Sequence, residues 1–170
     1  GFLIQAKGEM QIRLKSFSSM NEKKLLQSFI DLLNTHYNHN SYILCAHNGK
    51  EFDFPYIARR MTVHQLELPS AFQIAGKKPW EVPHLDTLEL WKFGDYKSSI
   101  SLRLLSEVLG LSSKKIKSQG KEIANKFYLE KQIDKIVEYC ENDVFVLSQV
   151  ILRFRNDQLL KEEEVVFLKN

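Results

Sequence analysis

Three side chains in this sequence are of types that do hydrolytic chemistry when they meet, and their neighbours say where each would sit. Asp53 falls within AHNGKEFDFPYIARR, which runs from Ala46 to Arg60 directly after the apolar run YILC. Tyr139 and Asp143 stand four apart in EYCENDVFVL, a separation that puts both on one face of a helix, one turn apart. Each signal is weak alone. An Asp in a first helical turn complements the helix dipole without any further role, and a Tyr-x-x-x-Asp pair is also met by a surface Asp beside a lysine. The conjunction argues for more. A carboxylate just beyond the carboxyl end of a buried strand stands where open α/β sheets place their ligands. Carboxylates converging on such a crevice repel one another unless a hard cation such as magnesium neutralises them.

The elements that must position these groups follow from periodicity. GFLI, a turn at AKG and MQIRLKSF read as a β-hairpin, with Met10, Ile12, Leu14 and Phe17 nearly alternating with polar residues. In SSMNEKKLLQSFIDLLNTH, Leu25, Leu26, Phe29, Ile30 and Leu33 form one helical stripe, and Ser19 with Glu22 has the spacing of a capping box. SYILCAH is short and rich in β-formers, predicting a buried strand over Ser41–Ala46. Strand, helix and buried strand together suggest a crossover unit in an α/β sheet.

Beyond Asp53, Pro55 suits a first helical turn and YIARRM continues the helix, whereas ELPSAFQIAGKKPWEVP reads as a long irregular excursion. HLDTLELWKF is a short strand end entering a helix, with Asp86 placed as its N-cap, a structural role favoured over catalysis. SLRLLSEVLGL is a further helix closed by Gly110, and SSKKIKSQGK a basic loop. The longest helix is predicted over Lys131–Arg155, with apolar positions from Ile133 to Ile151 at helical spacing.

Composition sets the outer bounds. A chain of 170 residues, 44% of them hydrophobic, is enough for one domain with a core and scarcely for two. A net charge of +3 permits a nucleic-acid partner without demanding one. Two cysteines, Cys45 and Cys140, read as reduced thiols and exclude a disulfide framework. No apolar stretch reaches the ~18 residues of a membrane span, so the expectation is a soluble, cytoplasmic protein with no membrane partner.

The motifs also carry a resemblance. NGKEFDFPYIARR resembles the second motif of the DnaQ-like 3′–5′ exonucleases, and YCENDV their third motif in its Tyr-containing form. With GKKPWEVPHLDTLELWKFGDYKSSISLRLLSEVLG, they are similar to a bacterial family of predicted 3′–5′ exonucleases related to the proofreading domain of family B DNA polymerases. The resemblance implies a ribonuclease-H-like, three-layer α/β fold with a mixed central sheet flanked by helices. It also implies a site of four carboxylates and two magnesium or manganese ions. Asp53 and Asp143 carry over as metal-binding carboxylates and Tyr139 as the residue that orients the attacking water. In such a site two cations hold the phosphate, one activating water and the other stabilising the departing 3′ oxygen. A phenol with a pKa near ~10 positions that water by hydrogen bonding and is not a base. Asn48 would brace the turn, and Phe52 would pack against the terminal base. The implied substrate is single-stranded DNA, or another nucleic acid with a free 3′ end.

One departure stands out: the family's first motif, Asp-x-Glu on a central strand, has no counterpart before Asp53. The expectation is therefore a single exonuclease-like domain over residues 1–170 that lacks its N-terminal strand and carries an incomplete metal site, nearly inert alone and without a tightly bound ion. The edges of GFLI and SYILC left open would be covered by a neighbouring molecule, by the C-terminal EEEVVFLKN, or by the strand itself in a longer protein. The rival reading is a non-catalytic nucleic-acid-binding or protein-docking module that keeps the fold.

Other constellations weigh less. His36 and His39 lie in a polar loop without Cys or acidic companions, against a zinc site. Cys45 near His47 sits in an apolar run and reads as core. Lys77, Lys78 and Trp80 suit a grip on a substrate strand by charge and stacking, while a Pro-flanked Trp covering the core fits equally well. Lys114, Lys115, Lys117 and Lys121 form a solvated loop or contact phosphate.

Overall fold

The hairpin forms first in the chain: β1 (Phe2–Ala6) pairs antiparallel with β2 (Glu9–Leu14), Leu3 opposite Ile12. The computed structural model describes residues 1–6, 9–37, 42–111 and 133–168. Two packing units emerge, Gly1–Ser18 with Ile100–Asn170, and Ser19–Ser99.

In the first unit, β5 (Val165–Phe167) joins β2 in parallel, Ile12 opposite Val165, giving the order β1-β2-β5. The C-terminal segment therefore pairs, but with β2 and not with the outer edge of β1; β1 and β5 stand at the two sheet edges. Leu168 N–H donates to the Leu14 carbonyl at 2.7 Å, holding the end of that strand. Alternation along β2 sends Ile12 and Leu14 into a core with Leu152 and Leu160, covered by Leu3, Met10, Val144, Phe145 and Val165. The last helix runs Ile133–Phe154 and inserts Leu152 there. Gln149 of that helix, buried, accepts from Leu160 N–H at 2.9 Å and donates to the Leu160 carbonyl at 2.7 Å, pinning the return of the chain. A helix over Leu102–Val108 also belongs here. Ser101 accepts from Leu104 N–H to cap it, and Gly110 at φ +66° ends it, as predicted.

In the second unit, α1 (Glu22–His36) and α2 (Asp53–Val63) share a core of Leu26, Ile30, Leu33, Phe54, Met61 and Phe72. The helical stripe read from the sequence is the face α1 buries. The predicted capping box does not form. Asn21, not Ser19, caps α1 by accepting from Lys24 N–H at 3.0 Å, while the Ser19 hydroxyl accepts from Asn21 N–H. Glu22 is drawn away, because Arg60 on α2 and His64 at its C-cap present a guanidinium and an imidazole to it, at 2.7 Å and 2.8 Å.

The strand predicted over Ser41–Ala46 shrinks to β3 (Cys45–Ala46), parallel to β4 (Leu85–Asp86). Its partner is only two residues long, so one more hydrogen bond, Leu85 N–H to the Leu44 carbonyl, ends the ladder. Tyr42 and Ile43 are half exposed. Among the described residues, the crossover thus runs from β3 through α2 to β4, and not from the hairpin to β3. The excursion between them is irregular as expected, with single 3₁₀ turns at Ser70–Phe72 and Pro79–Glu81, the first burying Phe72. After β4 the chain enters α3 (Thr87–Lys92). In chain order the helices at Leu102–Val108 and Ile133–Phe154 are α4 and α5. His39 and the loop lysines Lys114, Lys115, Lys117 and Lys121 lie outside the described residues.

Candidate active site

Asp53 opens α2 at the end of a turn that is tied down from outside. The turn begins with Asn48 in the left-handed region (φ +60°), a conformation that Asn tolerates better than most residues. Gly49 follows, where a Cβ would lie 2.3 Å from that of Ala46 and against the Phe54 ring, so only glycine fits. Backbone bonds from Phe52 N–H to the Asn48 carbonyl (3.1 Å) and from Phe54 N–H to the Gly49 carbonyl (2.9 Å) fold this turn directly into α2.

The ties come from consecutive residues of β4 and α3. Asp86 is 3% exposed, and its carboxylate accepts from Asn48 N–H (2.8 Å), Lys50 N–H (3.1 Å) and Leu88 N–H (3.0 Å). It caps α3, as its position in the sequence predicts, and braces the turn before Asp53 as well. Thr87 is hydrogen-bonded to His47 at 2.9 Å, and Glu89 pairs with the Lys50 ammonium at 2.9 Å. Asp86, Thr87 and Glu89 thus engage His47, Asn48 and Lys50, residues 36 to 40 positions earlier. Sequence reading missed these stitches; the only signal was a capping Asp on the strand that pairs with β3.

Burial pushes the Asp53 carboxyl above the usual carboxylate range, and the nearby Asp86 charge adds to the push, while a backbone hydrogen bond and His47 oppose it. Phe52, 63% exposed, stacks nearly parallel on Tyr56 with ring centroids 5.8 Å apart. Cys45 is no nucleophile. Burial, then the Asp86 charge, raises its thiol to about 12, so the thiolate is negligible near neutrality.

In the other unit, Tyr139 and Asp143 lie one turn apart on α5, as their spacing predicts. The two are hydrogen-bonded. Burial raises the Asp143 carboxyl against that bond, and burial followed by the Asp143 charge raises the phenol, which stays a protonated donor at neutral pH. Trp80 does not cover the core. It is 74% exposed, with the Lys78 ammonium 5.3 Å from its ring centroid. Lys77 and Lys78 are exposed as well.

The chain is mixed α/β, with small sheets and helices, and is consistent with an exonuclease-like fold. A family model described as a predicted 3′–5′ exonuclease related to the exonuclease domain of PolB matches residues 2–165, and the chain belongs to that family. No curated protein and no solved structure gives a match. Among the described residues, no helix is long and apolar enough to cross a membrane.

Proposed function

We propose that this protein is a metal-dependent 3′–5′ exonuclease that hydrolyses the terminal phosphodiester of single-stranded DNA by a two-metal route, within a ribonuclease-H-like three-layer fold. The observation that carries the reading, beside the family, is the condition of two carboxyl groups. Asp53 and Asp143 are each about half buried and both are pushed upward by loss of solvent. That penalty on the charged form is what a bound cation relieves. Oxygen donors of this kind suit magnesium or manganese. Asp86 is given a bracing role in this reading, because its carboxylate already accepts from three backbone N–H groups. Among the described residues, no group of three or more His, Cys, Asp or Glu side chains gathers to hold an ion.

In this reading Asp53 and Asp143 are metal-binding carboxylates, and bound cations supply Lewis-acid activation of water and charge neutralisation at the phosphate. Tyr139 keeps its proton and orients the water by hydrogen bonding. Asn48 holds the turn that presents Asp53, and Phe52 offers its exposed face to the terminal base.

The test is hydrolysis of 5′-labelled single-stranded DNA by the full-length protein with magnesium or manganese. Stepwise shortening from the 3′ end is expected. Asp53→Asn or Asp143→Asn should abolish it, and Tyr139→Phe should slow turnover while leaving oligonucleotide binding intact. Full activity in either Asn variant would overturn the assignment. Binding without hydrolysis in any metal would favour the non-catalytic module.

A further inference from the structure

Trp80 lies in the single 3₁₀ turn at Pro79–Glu81. Pro79 opens the turn, and the Glu81 carboxylate accepts from Lys78 N–H at 2.7 Å, closing it. An indole offers one of the largest apolar areas of any side chain, yet the core around Phe54 and Phe72 is built without it. The Lys78 ammonium is placed over the ring, and Lys77 is exposed beside it in the chain. The turn is anchored to the segment that braces Asp53. His84, four residues on, bonds the Ala71 carbonyl at 2.7 Å and packs on Phe54 at 4.6 Å, and Asp86 follows. The same composition recurs past the other end of α3, where Phe93 and Tyr96 are 83% and 79% exposed between Lys92 and Lys97. The six residues of α3 span only about 9 Å, at 1.5 Å each.

Nearby acids are occupied: Glu81 by the turn, Glu89 by Lys50, and Asp95 by Lys97 N–H at 3.2 Å. Among the described residues Lys77, Lys78, Lys92 and Lys97 form no ion pair, and the Lys78 ammonium rests over the indole, so these charges are open to an outside anion. Exposed aromatic faces interleaved with lysines fit an unpaired nucleic-acid strand, whose bases stack and whose phosphates pair with ammonium groups. A duplex hides its base faces and would not use the indole.

We infer that Trp80, with Lys77 and Lys78, is a stacking site for an unpaired base of a single nucleic-acid strand. It rests on the proposed function only in taking nucleic acid as the occupant.

The experiment measures binding of a fluorescein-labelled thymidine oligomer by anisotropy, in EDTA so that no hydrolysis intervenes. Because the indole is exposed, Trp80→Ala should melt like the wild type. Base–aromatic stacking loses ~1–3 kcal/mol on truncation, so the variant should bind about 5- to 150-fold more weakly. Trp80→Phe, which keeps a stacking face, should recover most of that loss. Lys78→Gln should flatten the salt dependence by about 0.7 in log–log slope, one phosphate contact on a single strand. A blunt duplex of the same sequence should bind no differently to Trp80→Ala and the wild type. Wild-type affinity in Trp80→Ala, or equal losses for single strand and duplex, would overturn the inference. The two readings fail separately. If Asp53→Asn still hydrolyses while Trp80→Ala binds weakly, the catalytic assignment falls and the stacking site stands; an inert Asp53→Asn with normal binding by Trp80→Ala means the reverse.

Discussion

Asp86 is the residue on which the candidate site's geometry most depends, and its removal has a cost that the structure ranks in advance. Its side chain accepts from three backbone N–H groups, of which Leu88 N–H is buried and Asn48 and Lys50 N–H are partly so. A hydrogen bond to a charged group is worth ~1.5–3 kcal/mol, and an orphaned buried donor costs ~1–3 kcal/mol. Asp86→Ala orphans all three, but the turn amides regain some water, so a loss of ~3–5 kcal/mol is expected. Asp86→Asn keeps one carbonyl-type oxygen, able to serve Asn48 and Leu88. Its amide nitrogen would face Lys50 N–H donor to donor, for a loss of ~1–3 kcal/mol. Urea unfolding of the two variants gives the ranking. Native-state amide exchange gives the location: in Asp86→Asn the Lys50 amide should lose protection while Leu88 keeps it. A loss under ~1 kcal/mol in Asp86→Ala, against a total stability of ~5–15 kcal/mol, would refute the brace. So would unchanged Lys50 protection in Asp86→Asn.

Two further outcomes test the packing around it. Glu22 is held down to about 2, mainly by hydrogen bonds from Arg60 and His64. With the folded value below the unfolded ~4.3, its stabilising effect is present above about pH 4.5 and lost as pH falls toward 2. The Tm gap between wild type and Glu22→Gln should therefore close across that window, and a gap independent of pH would count against the cluster. Gln149→Leu leaves the buried Leu160 N–H and carbonyl without their partner, for an expected loss of ~2–4 kcal/mol by chemical denaturation; a loss under ~1 kcal/mol would show that the clamp is dispensable.

Local periodicity made the hairpin, the stripe of α1 and the face of α5 legible, because each depends on residues a few positions apart. The Tyr139–Asp143 pairing was legible for the same reason. Where the competing partner was distant, local reading failed. Ser19 and Glu22 have capping-box spacing, but a guanidinium on α2 and an imidazole at its C-cap outcompete a backbone N–H for the carboxylate. SYILC has strand composition, but a ladder extends only as far as its partner, and β4 is two residues long. Nothing local could show that Asp86 reaches back to Asn48, 38 residues away.

That long reach accounts for how α2 begins. Side chains cap α1, α3 and α4, supplied by Asn21, Asp86 and Ser101. The helix that begins with Asp53 has Phe52 at its N-cap and no capping side chain; the Gly49 carbonyl already accepts from Phe54 N–H, and Pro55 has no N–H to offer. A Ser or Asn at position 52 would therefore find no donor to cap, and it would remove the exposed ring that stacks on Tyr56. The chain instead fixes the start of α2 from a distance, through one buried carboxylate that holds the turn and caps a second helix at once. The arrangement also separates two jobs that one Asp cannot do together: Asp86 spends its oxygens on backbone N–H groups, and Asp53 is thereby relieved of bracing the turn that presents it.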